Sequence, residues 1–290
     1  MSLSRPLAAL AIWAVMVAVA GAEPLKALIV DGQNNHQWQV TTPPLKKLLE
    51  ETGLFTVDVA TTPPRGQDMS GFKPSFADYN VVVMNYTGDS WPEETNVAFE
   101  RYVSSGGGLV VYHAASNAFP KWKEFNEMIG VGGWGGRSEK DGPFIHWKDG
   151  QIVRDMSPGR GGMHGPQHEF QLVVREPNHP ITDGLPERFM HCADELYSQL
   201  RGPAKNVTVL ATAFADPAKR GTGRHEPILM TISYGKGRVF HTTLGHVDVQ
   251  LRSVAFIATY QRGTEWAATG RVTQKVPVDV PGPDKPSMRE

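Results

Sequence analysis

The chain has 290 residues, 40% hydrophobic and 20% charged, with a formal net charge of −1. That balance suits one α/β domain, or two small ones. It carries neither a basic stripe nor an acidic tail, so nucleic acid is excluded as an expected partner.

The chain opens as a secretory leader. "MSLSR" is a short basic region, "PLAALAIWAVMVAVA" an apolar core, and "AGA", ending at Ala22, offers small residues for cleavage. The competing reading is a single membrane-spanning helix. The run is short and no charge follows closely enough to stop transfer, so residues 1–22 are taken as a signal peptide. The expected location is secreted or periplasmic, with no membrane attachment after cleavage. One cysteine, Cys192, is present, so no intramolecular disulfide forms. No glycine-rich turn precedes it, and a small buried apolar role fits it better than a nucleophilic one.

"LKALIVDGQ" is a strand apolar throughout, as a strand covered on both faces should be. "TTPPLKKLLEETG" predicts a helix with Thr42 as N-cap, Pro43 at the first helical position and Gly53 as the stop. "FTVDVAT" and "YNVVVMNY" are further strands and "EETNVAFERYVSSGG" the next helix. "GLVVYHA" is the fourth strand, and "NAFPKWKEFNEMIG" holds a short helix beyond it. Strands and helices alternate, which predicts a parallel sheet flanked by helices.

Residues 130–165 break the pattern. They are rich in glycine and have no sustained period, as in a functional loop region. Trp134, Phe144 and Trp147 within it either line a sugar site or pack the loop onto the body. Strand patterns resume with "HEFQLVV", "VTVLATAF", "PILMTISY" and "RVFHTTL", with "YGKGR" as a tight hairpin turn between the last two. Antiparallel strands are thus added to the parallel core. "VQLRSVAFIATYQRGTEWAA" is the closing helix, and the proline-rich residues 271–290 form a tail expected to trail over the surface or to be disordered. The domain proper spans 23–270.

Ligands of open α/β sheets bind at the carboxyl ends of the strands. That rule collects Asn35, His36 and Trp38 after the first strand, Tyr86 after the third, His113 after the fourth and His246 after the last. "HGPQHEF" adds His164, His168 and Glu169, and "HCADELY" adds Asp194, Glu195 and Tyr197. Imidazole near neutral pH binds divalent metals, shuttles protons and donates to sugar oxygens. The expected metal set is His113, His168 and His246, for Zn, Mn or Fe, with Glu169 as ligand or general base. His113, Glu169 and His246 are the expected catalytic groups. Asn35, His36, Trp38, Tyr86, Glu195 and Tyr197 are the expected substrate contacts. Taken singly, each histidine has a bland reading as a hydrogen-bonded structural residue.

"SSGGGLVVYHAAS" has the form of a nucleophile elbow whose tip is His113. Ser104 and Ser116 flank the tip without occupying it, so a serine nucleophile is excluded. His113 there is a ligand, a base or, least commonly, a nucleophile.

"LIVDGQNNHQWQVTTPPLKKLLEETGLFTVDV", "SGGGLVVYHAA", "HPITDGLP" followed by "DELY", and "YGKGRVFHTTLGH" together resemble the trehalose-utilisation (ThuA-like) family. The resemblance covers about Leu25 to Ala268. It implies a flavodoxin-like α/β fold of the class I glutamine amidotransferase-like superfamily. Amidotransferases of that superfamily carry a Cys at the elbow and a His-x-Glu after a late strand. Here His113 stands at the elbow, and His246 and Asp248 occupy the late motif, so thiol-dependent glutamine hydrolysis is not expected. The family's association with sugar metabolism implies a 3-keto-glycoside as the substrate class, processed by proton abstraction and C1–O cleavage. The alternative is a carbohydrate-binding or scaffold module on a disabled enzyme fold, with Trp38, Trp91, Trp134 and Trp147 as stacking platforms.

Overall fold

The computed structural model describes residues 23–290; the leader reading falls on residues outside them. Among the described residues eleven strands form one mixed sheet. They are β1 (Leu25–Asp31), β2 (Phe55–Thr61), β3 (Val81–Met84), β4 (Gly108–Tyr112), β5 (Phe144–Lys148), β6 (Gln151–Asp155), β7 (His168–Val174), β8 (Arg188–Asp194), β9 (Val207–Phe214), β10 (His225–Tyr234) and β11 (Gly237–Thr242). The helices are α1 (Trp38–Glu50), α2 (Glu93–Ser104), α3 (Lys123–Ile129), α4 (Asp248–Leu251) and α5 (Val254–Thr269).

The main path runs β2-β1-β3-β4-β11-β10-β9-β7-β8. Its first five strands are mutually parallel, and the rest are antiparallel. Alternation sorts the parallel strands onto two cores. Ala27 and Ile29 face α1 and α5 with Leu45, Leu49, Phe256 and Tyr260. Leu28 and Val30 face α2 and α3 with Phe99, Tyr102, Phe125 and Met128. Helices on both faces leave the strand ends as the place where polar side chains can collect.

Several boundaries differ from the sequence reading. α1 begins at Trp38, so Thr42 is not its cap and Pro43 and Pro44 lie inside it. The Thr42 hydroxyl donates instead to Asp31. The closing helix is two, α4 and α5, broken around Arg252 and Ser253. Residues 130–165 contain the β5–β6 hairpin, turned at Asp149 and Gly150, both with positive φ (50° and 80°) as the favoured two-residue hairpin turn demands. The tail is tied down: Ser253 bridges Met288, Met190 N–H donates to the Gly282 carbonyl, and Arg289 pairs with Asp279. Among the described residues no helix is long and apolar enough to cross a membrane.

Candidate functional site

The parallel register of β4 beside β11 sets His113 next to Thr243. His113 follows β4 at φ +44°, a left-handed conformation uncommon for a residue other than glycine and concentrated at functional turns. Its Nδ1 lies 2.7 Å from the Thr243 carbonyl. A carbonyl only accepts, so Nδ1 carries the proton and the Nε2 lone pair turns toward the Tyr197 hydroxyl, 3.0 Å away.

His36 arrives from the loop after β1. Its N–H donates to Asn34 Oδ1, the Asn34 amide donates to Asn85 Oδ1, and Asn85 donates to the Thr41 and Thr42 hydroxyls. This polar chain fixes the loop against α1. His246 follows β11, and its ring centroid lies 4.5 Å from that of His36; His36 and His113 are 5.0 Å apart. Glu195, just after β8, sits among them. Its carboxylate is 3.4 Å from His246 Nε2, 3.6 Å from His164 Nε2 and 3.7 Å from His113 Nε2.

The charges follow from this packing. Burial, then repulsion by His113 and His246, pushes His36 down to about 4. Burial also lowers His246, with Glu195 opposing. Burial works to raise Glu195, but the neighbouring His113, His246 and His164 imidazoles outweigh it and leave the carboxyl below its usual range. Near neutral pH the site therefore holds neutral His36 and His246 beside an ionised Glu195, the protonation states that metal ligands need.

His36, His113 and Glu195 bring one ligand atom each within 4.8 Å of one another. Two imidazoles and a carboxylate suit Zn, Mn or Fe and leave open coordination positions. The Thr243 bond gives His113 the outer hydrogen bond that orients a metal-binding imidazole. A cleft of about 390 Å³ opens beside the cluster, lined by Asn35, His36, Asn117, Trp134, His164 and Tyr197 among others. Trp134 packs edge-on against Tyr197 at 4.7 Å.

Of the residues expected at the site, the structure gathers Asn35, His36, His113, Glu195, Tyr197 and His246. It does not gather His168, Glu169, Tyr86 or Trp38. The His113–His168–His246 metal set is replaced by His36, His113 and Glu195: His168 turns its Nδ1 to the Pro166 carbonyl and packs on Phe170. Glu169 is its exposed neighbour on β7, so the carboxylate expected of it is supplied by Glu195. Tyr86 is wholly buried, with its hydroxyl on the Asp89 carbonyl and its ring against Trp91 and Phe119; it is core. Trp38 is the first residue of α1 and does not line the cleft. Asp248 is exposed, and His246 Nδ1 meets the Gln167 amide at 2.8 Å rather than an acid. Trp91 is buried and Trp147 lies under Arg175, which leaves Trp134 as the tryptophan of the cleft.

One supporting device has no sequence signature. Ser253 Oγ, His191 and Asp194 form a hydrogen-bonded chain with links of 3.0 and 2.9 Å. All three are fully buried, so this is not a catalytic triad. Asp194 also accepts from the backbone N–H groups of Glu195, Gly245 and His246, and so holds two site loops.

A parallel sheet in the order 2-1-3-4 with a fifth parallel neighbour is the flavodoxin-like arrangement. On this scaffold the turn after β4 carries an imidazole, His113. The model of the trehalose-utilisation family, ThuA, matches residues 26–267, and the chain belongs to that family. It is similar to the crystal structure of a ThuA-like protein from Parabacteroides merdae, with 50% identity, TM-score 0.90, and 92% of this chain and 98% of that one covered. A ThuA-like protein from Bacteroides uniformis shares the fold at 22% identity and TM-score 0.56, covering 86% of this chain and 94% of that one. No curated protein matches the chain.

Proposed function

We propose that this protein cleaves an oxidised glycoside, a sugar carrying a ketone at C3, in the cleft beside His36, His113 and Glu195. The observation that carries this reading is the convergence of two imidazoles and a carboxylate at the elbow, with His246 against the carboxylate and His164 lining the polar cleft beside it. A C3 ketone acidifies the C2 hydrogen. The Glu195 carboxylate, which lines the cleft and is held ionised by the imidazoles around it, takes that proton. The electron pair left at C2 forms the C1–C2 double bond as the C1–O bond breaks, and His164 at the cleft mouth gives the departing oxygen its proton. Addition of water to the resulting unsaturated ketone makes the overall change a hydrolysis. A divalent ion held by His36, His113 and Glu195 would supply Lewis-acid polarisation of the ketone. Trp134 offers the sugar ring an aromatic face, and Asn35 and Asn117 offer amides to its hydroxyls. The leader pattern expected over residues 1–22 supports a location outside the cytoplasm for this reaction.

The test is direct. Metal content of the purified protein is measured, and a 3-keto-glucoside is supplied with and without chelator. Turnover that falls on chelation and returns with Zn, Mn or Fe is expected. The absence of turnover under every condition would refute the reading.

A further inference from the structure

A second cleft, of about 580 Å³, lies where β5 meets β10, and it shares no lining residue with the His36 cleft. His146, Trp147, Lys148, Arg175, Arg224 and His225 line it. Among the described residues Arg175 spends only its Nε on a protein partner, the Thr212 hydroxyl at 2.9 Å, and its guanidinium lies 5.4 Å above the Trp147 ring. Arg224 pairs with Asp155 at 3.1 Å. Lys148 is exposed, and Arg188 beyond it is near Glu187. Set against these cations is Asp149 at the hairpin turn, so the cleft holds surplus positive charge.

Its two histidines are the telling feature. His146 is only 8% exposed. Among the described residues, the buried Nδ1 atoms of both His146 and His225 have no hydrogen-bond partner. Orphaned buried N–H groups are rarer than orphaned acceptors. The protons are therefore assigned to Nε2 on both rings, where water or a ligand can receive them. Burial first, and then Arg224 for His146 and Arg175 for His225, lower both pKa values and keep the rings neutral. The cleft thus offers two imidazole N–H donors and a guanidinium with free η nitrogens. Phe214, 47% exposed and 5.4 Å from the His225 ring, adds an apolar face near that ring.

We propose that this cleft binds a small oxyanion, a carboxylate or a phosphate borne on a sugar, between Arg175 and the Nε2–H groups of His146 and His225. A guanidinium fork matches the geometry of either anion, and the aromatic face suits the ring that carries it.

The full chain is titrated calorimetrically with glucuronate, glucose 6-phosphate and glucose. Saturable binding of at least one anion and none of glucose is expected; which anion binds tells carboxylate from phosphate. Arg175→Gln should weaken that binding by about tenfold or more, the loss of a charge-assisted bond. Glu195→Gln should leave it unchanged, which separates this site from the catalytic proposal. If Arg175→Gln does not fold, His225→Asn and the side-chain ¹⁵N signals of the native protein serve instead. The anion should shift Nε2 of His146 and His225 and leave His36 and His246 unmoved. Glucose binding as tightly as the anions, no binding of either anion, or unaltered affinity in the variants would overturn the assignment.

Discussion

Asp194→Asn isolates the device beneath the site. The native carboxylate receives four N–H groups: His191 Nε2 at 2.9 Å and Gly245 N at 2.7 Å on one oxygen, Glu195 N at 2.8 Å and His246 N at 3.3 Å on the other. An amide of the same shape has one accepting oxygen, so it must turn its NH₂ against two of those donors. It also leaves the His191 imidazolium without its counter-charge in a fully buried position. Breaking a buried pair in this way costs about 3–5 kcal/mol. The pH dependence carries the second signature. Burial opposes a charged His191, but the Asp194 bond outweighs it and holds the imidazole above its ordinary value. Burial likewise opposes ionised Asp194, and His191 holds that carboxyl below its ordinary value. The histidine part of the stabilisation is complete below the free imidazole value of about 6.5 and fades as pH rises through the raised one. The carboxylate part is present above the free value of about 3.9 and is lost as pH falls through the lowered one. Urea unfolding of both proteins should therefore show the largest gap near pH 5–6 and a shrinking gap in alkali. A gap under about 1 kcal/mol, or one that is flat with pH, would refute the account of a buried ion pair.

Acid sensitivity should come in part from His241, which is fully buried with a pKa pushed to about 4 by burial, against the opposing bond to the Ile129 carbonyl. The unfolded chain gains a proton there that the fold refuses, so stability falls by about 2 kcal/mol between pH 8 and pH 5; His241→Gln should flatten that part of the profile measured by thermal unfolding. Gly263→Ala should destabilise despite the better helix propensity of alanine. Its Cβ would lie 2.2 Å from the Phe240 ring, and the overpacking cost of about 1–3 kcal/mol exceeds the propensity gain of about 1 kcal/mol; denaturant midpoints read the difference. Glu195→Gln should cut metal retention in dialysed protein by about tenfold or more, since it removes the anionic ligand, and retention equal to the native level would remove Glu195 from the ligand set.

Elements with a clear hydrophobic period were legible. β7 and β9 fall on their predicted residues because apolar runs bounded by turns leave little choice of register. The β5–β6 hairpin was missed although "KDGQ" marks its turn, because the surrounding glycines masked two short strands. β8 was missed because "RFMHCAD" interrupts its apolar run with His191 and Asp194, whose burial depends on each other. Rim residues were legible where a strand ends in polar side chains, as at His36, His113 and His246. Glu169 and Glu195 look alike in sequence. A strand's alternation sends Glu169 to solvent, while the buried Asp194 carboxylate receives the Glu195 N–H and holds that residue over the histidines.

The sequence by itself determined the parallel core of the sheet, its covering helices and the elbow, because burial of apolar faces is a local, periodic demand on the chain. Which imidazoles meet which carboxylate was decided only by the tertiary structure. Those contacts join residues as far apart as 36, 113, 195 and 246, and the electrostatics that select them exist only once the strand ends are side by side and water is excluded.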